Sequence, residues 1–389
     1  MLRVSELVED HAALLAWLDS LGVWASMGMA APQASSARVE TTPLTGGLMN
    51  HLWSVRVEFG EGERLPAIVI KQALDALRVA PNVRLDVSRI VKERDALCWF
   101  SETLGELDAG RGGWRLGVPR VHAFCEASHA LVMEHVPALC DLDGWRAPLP
   151  DVEDVLATLG HAIACVHGVS ASSPHAARWR VQFAQPEVQR VREMVQYRAI
   201  HTWLEEARHV VSIEPSSLAR VRVEMEHVSE VFSRPGACLT MGDLWLRAVL
   251  LEPPARRASL IDWEFVHWGS PAQDVGHLLA HVWMKGEVLD VPDWSRRTAR
   301  AFLETYFTTL AQHGSKASLW NSEVRRSTIL HASAEILARV LGPFRVLDIY
   351  EDARGRKKKR ALRKAVSMID GVYNAAGDTG THDCLLAWM

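Results

Sequence analysis

The pattern of apolar and polar positions changes character about a third of the way along the chain. In "ARVETTPLTGGLMNHLWSVRVEFGEGERLPAIVIKQA", Val39, Leu52, Val55 and Val57 alternate with polar residues around a Thr-Gly-Gly turn, and Gly60 to Gly62 marks a second turn. "AIVIKQ" is a short β-branched run that ends in Lys71. "VSRIVKERDALCWFSETL" instead carries Ile90, Leu97 and Phe100 near helical spacing, with Ser88 as its cap. "VPRVHAFCEASHALVMEHV" predicts two strands joined by a polar turn. Ahead of these, "MLRVSELVEDHAALLAWLDSLG" predicts one amphipathic helix capped by Ser5, followed by a loop from Ala25 to Ala37.

Beyond Glu134 to Pro137 the spacing turns helical. "DVEDVLATLGHAIACVHG" has apolar Val155, Leu156, Leu159, Ile163 and Val166, and two further amphipathic segments follow. One stretch interrupts them: "LTMGDLWLRAVLLEPPARRASLIDWEFVHWG", Leu239 to Gly269, predicts two short strands. Helical spacing resumes at "PAQDVGHLLAHVWM" and continues to the end. The expected fold class is α+β with two lobes. Residues 1–135 form a mainly β lobe with one inserted helix, and residues 136–389 a mainly α lobe.

Composition narrows the class. A chain of 389 residues exceeds one ordinary core. It is 48% hydrophobic and 23% charged, as globular proteins are. A net charge of -4 gives no footprint for nucleic acid. No apolar run reaches the ~20 residues of a membrane span, so no membrane partner is expected. Acids among the first apolar residues argue against a signal peptide, and a cytoplasmic location is expected. Six cysteines without CxxC spacing predict buried thiols in a reducing compartment and no zinc site.

Separated features suit one task, the handling of a nucleotide triphosphate and its metal. Glycines in "LTGGLMNHLW" allow backbone N–H groups close to phosphate oxygens. Lys71 ends a buried-type strand, where a charge needs an anion. Glu93, in the next helix, can pair with it. Asp243 can orient a hydroxyl and accept its proton, and Asp262 and Glu264 can hold Mg²⁺ with hard oxygens. Residues i and i+2 of a strand share a face, so the last two would repel unless a cation lay between them, and base and metal ligands would come from adjacent strands. Each feature alone has an ordinary reading, such as a snorkelling lysine or a turn aspartate. Their order along the chain joins them.

The order of Gly-rich turn, Lys71, Glu93, Met133 to Val136, "MGDLWLRAVLL" and "LIDWEFVHWGSPAQDVGHL" resembles the protein-kinase-like small-molecule phosphotransferases, the aminoglycoside phosphotransferase and choline kinase superfamily. Within it, "IKQALDALRV", "SRIVKERDAL" and the Asp-x-Glu run are most similar to methylthioribose kinase and its fungal relatives, such as 4-hydroxytryptamine kinase. The likeness spans about residues 40 to 345. It implies an ATP- and Mg²⁺-dependent kinase with a bilobal fold and a small-molecule hydroxyl acceptor, working as a monomer or homodimer. Asp243 would be the base. Asp262 and Glu264 would bind Mg²⁺. Lys71, with Glu93, would contact phosphates under Gly46, Gly47 and Asn50. The backbone of Met133, Glu134 and Val136 would meet adenine, and Asp274 would hydrogen-bond backbone near the catalytic loop.

This chain departs from that pattern at Met241, Arg247 and Ala248. The family's metal-binding Asn or Ser is Ala248, whose methyl cannot ligate Mg²⁺, so Glu264 must supply that oxygen. The alternative is a catalytically silent, kinase-like ligand- or partner-binding protein, favoured if Arg247 fills the metal position. Arg339, in "AEILARVLGPFR", stands where methylthioribose kinase meets its sugar, with Ala338 in place of a second arginine. Trp245 and Trp283 would line the acceptor pocket for a sugar, an amino alcohol or a hydroxylated aromatic. The basic run from Arg354 to Lys364 predicts a solvated helix start, with a nuclear signal or a polyphosphate contact as alternatives. The apolar tail is expected to dock on the body or to mediate a dimer contact.

Overall fold

The computed structural model describes residues 4–33, 35–44, 49–59, 63–78, 80–110, 112–291, 293–343, 345–346, 349, 355–374 and 383–389. They form two compact units. The first is Met1–Gly105, Gly117–Ala138 and Ser259–Glu264, and the second is Glu106–Leu116, Leu139–Ala258 and Phe265–Met389. The chain therefore crosses between units more often than a single cut after residue 135 would allow. The first unit is rich in strand and the second is mainly helical, so the fold is bilobal α+β.

In the first unit, five antiparallel strands run in the order Ala37–Pro43, Asn50–Phe59, Ile68–Ala73, Ala130–Glu134, Val121–Cys125. The hydrophobic pattern sets the register: Val39 lies opposite Val57, and Trp53 opposite Ile70. Val55, Val57, Ile68, Ile70 and Val132 pack with Leu7, Leu14, Leu18, Val23 and Trp24 in one apolar cluster. Those last five come from three short helices, Val4–Leu7, His11–Ser20 and Val23–Ser26, where the sequence predicted one. Ser5 is not the cap. Asp10 is, accepting the Ala13 N–H at 3.0 Å, because its side chain ends the break after Leu7. Helix Arg89–Thr103 packs on the sheet beside Ile68–Ala73.

The second unit is built on close helix pairs. Leu149–Ser172 has the length and hydropathy of a membrane span, but it packs along Trp294–Gln312 with most of its apolar stretch buried. The two approach at Gly160, where a Cβ would lie 2.3 Å from the Phe302 carbonyl oxygen. Pro271–Leu289 packs on Ser322–Leu341, which packs on Arg356–Asn374. That last helix carries most of the basic run, with Ala361, Leu362 and Ala365 buried and Arg360 3.0 Å from Glu287; Arg354 lies outside the described residues. The tail docks, since Leu385, Leu386 and Trp388 are buried. His331 Nδ1 meets the Tyr197 hydroxyl at 2.8 Å, and burial, reinforced by Arg192, pushes its imidazole down to about 3.

Gly160→Ala should lower the melting temperature by several degrees, since the added methyl forces the helices apart at ~1–3 kcal/mol. Gly371→Ala, in a helix with nothing near its Cβ position, should instead stabilise by up to about 1 kcal/mol, and calorimetry would show opposite signs. His331 protonates more readily unfolded than folded, so acid favours unfolding. Urea-derived stability should fall as pH drops from 6.5 toward about 3, by at most about 1.4 kcal/mol per pH unit for this group, and His331→Gln should flatten that slope.

Candidate active site

Strand alternation decides where Lys71 points. Ile68 and Ile70 face the cluster under the N-terminal helices, so Val69 and Lys71 take the other face, where helix Arg89–Thr103 lies. Lys71 is 2% exposed. Its Nζ lies 2.8 Å from Glu93 Oε2 and 2.6 Å from Asp262 Oδ1. Burial would push the ammonium down, but Asp262, Glu93 and Glu264 outweigh it and hold Lys71 above its ordinary range. Burial pushes the Glu93 carboxyl up to about 7, against the pull of Lys71.

Asp262 and Glu264 do not share a strand face. The strand Arg257–Leu260 stops before them, and Asp262 adopts φ 70°, which costs a side chain about 1 kcal/mol or more. This left-handed residue sends Asp262 to Lys71 and leaves Glu264 to other partners. Asn50 Nδ2 donates to Glu264 Oε2 at 2.6 Å, and Arg89 Nε lies 3.4 Å away. Arg89 has no exposure. It also donates to the carbonyls of Leu74 and Asp86, both at 2.9 Å, to that of Met49, and to Asn50 Oδ1 at 3.1 Å. Sequence reasoning missed Arg89. Its signal was a cation in a helix's first turn, where it opposes the dipole and so needs another partner.

Glu93, Asp262 and Glu264 against Lys71 and Arg89 leave one negative charge in excess, and all donors are hard oxygens. Among the described residues, no three His, Cys, Asp or Glu side chains form an all-protein metal cage. Mg²⁺ needs none, because it binds through one or two carboxylates plus phosphate oxygens and water. The pair Asp262 and Glu264 fits that ion. Gly46 and Gly47 lie outside the described residues. Asn50 is occupied in bridging Arg89 and Glu264. Met133 and Glu134 end the strand beside Ile68–Ala73, the Glu134 N–H donating to the Arg120 carbonyl at 2.8 Å.

In the second unit, strand Cys238–Thr240 pairs with His267–Gly269 and not with Arg257–Leu260, so Asp243 and the Asp-x-Glu pair do not follow neighbouring strands. After it, Gly242 adopts φ 82°, and a Cβ there would lie 2.2 Å from the Phe265 carbonyl oxygen, which leaves glycine alone at this position. Buried Asp274 accepts the Met241 and Gly242 N–H groups, each at 2.8 Å, as the resemblance implied. The turn presents Asp243, whose Oδ1 accepts from Arg192 Nη2 at 2.8 Å, with Arg339 Nη2 3.8 Å away.

A polar network surrounds that carboxylate. Arg192 Nε donates to Gln196 Oε1 at 2.7 Å, across a π-turn at Met194–Arg198, an irregularity common at functional sites. Glu335 accepts from Arg339 Nε at 2.6 Å, meets His281 Nε2 at 2.8 Å, and also accepts from Gln196. Burial would raise the Glu335 carboxyl, but the Arg339 guanidinium and the hydrogen bond with His281 hold it well below its usual range. Arg339 lies over the Trp245 ring at 5.0 Å and Arg247 at 5.8 Å. Arg247 also pairs with Asp143 at 3.1 Å. Trp283 does not join the network. It is two residues from His281, about 200° round the helix, and is buried on that other face. Sequence reasoning missed Arg192, Gln196, His281 and Glu335. Their signal was polar pairs at helical i, i+4 spacing inside apolar runs: Arg192 with Gln196, His277 with His281, Glu335 with Arg339.

The sequence matches the profile of the phosphotransferase enzyme family (APH) over residues 76–314, more than half of the chain. No curated protein matches it. Among solved structures, a Plasmodium vivax ethanolamine kinase is 11% identical, with 94% of this chain and 89% of that one covered and a TM-score of 0.47. A Thermobifida fusca chain described as a fructosamine-3-kinase is 17% identical (86% and 94% covered, TM-score 0.43), and a macrolide 2'-phosphotransferase type I is 14% identical (92% and 98% covered, TM-score 0.41). The profile takes in Glu93, Asp243, Asp262, Glu264 and Asp274, and the chain belongs to the phosphotransferase enzyme family.

Proposed function

We propose that the protein is a Mg²⁺-dependent kinase that transfers the γ-phosphate of ATP to a hydroxyl of a small molecule. The observation that carries this reading is Lys71, a buried ammonium held between Glu93 and Asp262. Such a lysine can turn its N–H donors to phosphate oxygens at little cost in reorganisation. Asp262 and Glu264 would hold Mg²⁺, which neutralises phosphate charge when bound. The Val136 N–H makes no hydrogen bond with the described residues and is free to meet adenine. Asp243 Oδ2 likewise makes none. It would accept the proton of the acceptor hydroxyl as that oxygen bonds to the γ-phosphorus. The bond from phosphorus to the bridging oxygen then breaks, and ADP leaves.

The acceptor would be a sugar, an amino alcohol or a hydroxylated aromatic, in the manner of methylthioribose kinase, against Trp245 and Arg339. Such an enzyme would act in the cytoplasm as a monomer or homodimer, without a nucleic-acid or membrane partner. Ala248, buried and without a donor atom, favours one other reading, a silent binding protein. Against that reading, Arg247 pairs with Asp143, which gives it a place of its own.

Thermal melting with ATP and Mg²⁺ separates the two. Ligand at ~100 times its dissociation constant should stabilise by about 2.7 kcal/mol, and Asp262→Ala should abolish the Mg²⁺-dependent part. Asp243→Asn should keep the shift but lose about 10²–10⁴-fold in acceptor-dependent ADP release. No shift in the wild type would sink the kinase reading.

A further inference from the structure

We infer that the acceptor carries an anionic group, a carboxylate or a phosphate, close to its reacting hydroxyl, and that Arg192, Arg339 and Arg247 receive it. This rests on the kinase reading for Asp243 and goes further in naming the class of acceptor.

One arginine is enough to neutralise Asp243, and Arg192 already bonds it. Arg339 is a second. Its side chain is 16% exposed, and its one hydrogen bond with the described residues is from Nε to Glu335. Among the described residues neither terminal nitrogen makes a hydrogen bond, and Nη2 pairs with Asp243 only at 3.8 Å. Arg192 Nη1 makes no hydrogen bond with the described residues either. The planar fork of a guanidinium matches the two oxygens of a carboxylate or phosphate.

Charge points the same way. Two sets of ion pairs meet at Trp245: Arg192 and Arg339 balance Asp243 and Glu335, and Arg247 and Lys285 exceed Asp143 by one. The excess is one positive charge. His277 faces Arg192 and, by burial, stays neutral, so it adds none; His281 faces Glu335, and any charge there would add to the excess. A cationic amino alcohol would enter against this excess, and a neutral sugar would leave it unbalanced. An anion balances it. The Trp245 ring lies 5.0 Å from the Arg339 guanidinium and 5.8 Å from that of Arg247, so one apolar side chain keeps both forks near Asp243.

The test uses matched acceptors with the full chain: 3-hydroxybutanoate beside 3-hydroxybutanamide, glycerol 1-phosphate beside glycerol, and ethanolamine as the cation. ADP release is read with ATP and Mg²⁺, and melting is read with each compound alone. The anionic member should be favoured at least about tenfold in kcat/KM, because charged hydrogen bonds carry that much discrimination. Acids leading would assign a carboxylate, and glycerol phosphate leading a phosphate. Arg339→Gln should raise the KM of the anion about tenfold to hundredfold, and by clearly more than the KM of its neutral partner. Arg339→Lys, which keeps the charge and loses the fork, should restore only part of it. Arg247 is exposed, and Asp143 keeps Lys285 as a partner without it, so Arg247→Gln covers the case in which Arg339→Gln leaves Glu335 unpaired and unfolds the protein. Its expected effect is a smaller KM increase, again larger for the anion than for its neutral partner. Turnover of neutral or cationic acceptors at equal or better rates overturns the inference while the ATP shift keeps the kinase reading. If ATP and Mg²⁺ give no shift, the kinase reading fails by itself. Stabilisation by the anions alone that Arg339→Gln removes would then still uphold the anion site, and its absence would overturn it.

Discussion

A lysine ammonium shut away from water persists only where carboxylates surround it, and the first unit is arranged around that requirement at Lys71. Taking one such ion from water costs several kcal/mol even after relaxation, and breaking a buried pair costs ~3–5 kcal/mol. Glu93 meets it from the helix, and Asp262 from a short segment that arrives almost two hundred positions later. Arg89 then ties that segment back, through Glu264 and Asn50, to the end of the Gly-rich turn. Helix, sheet and turn are registered to one another by these charges.

The second unit solves a related problem with backbone. Asp274 spends both carboxylate oxygens on two successive N–H groups, and so fixes Met241 and Gly242. Met241 contributes its N–H to Asp274, and its side chain is buried in the core. Arg192, Glu335, Gln196 and Arg339 then form a linked set of partners around Asp243, in which two arginines balance two carboxylates. Removing one member would leave another buried and unpaired, which is why such networks hold a single geometry.

Much of this was legible in the residues. The switch from strand to helical spacing near Glu134 marks the change from β to α, and the partnership of Lys71 with Glu93 was readable from strand end and following helix. The error at Asp262 came from extending a two-residue period past the end of a strand, where a left-handed residue breaks it. Three N-terminal helices passed for one because their apolar positions stay in phase with the sheet face they cover. The arginines around Asp243 were illegible singly. A charged residue in an amphipathic helix looks solvated until the helix that packs against it is known.

The interleaving of the units also bears on how the chain is made. Leu14, Leu18 and Trp24 emerge first during synthesis, but the strand that carries Val132 follows more than a hundred residues later. The last segment of that unit, Ser259–Glu264, appears only after about half of the helical unit. A growing chain therefore cannot finish its first unit before beginning its second. Until residue 264 leaves the ribosome, Lys71 has one carboxylate partner of its two, and the nascent protein passes through a period of exposed apolar surface in which holding chaperones have something to bind.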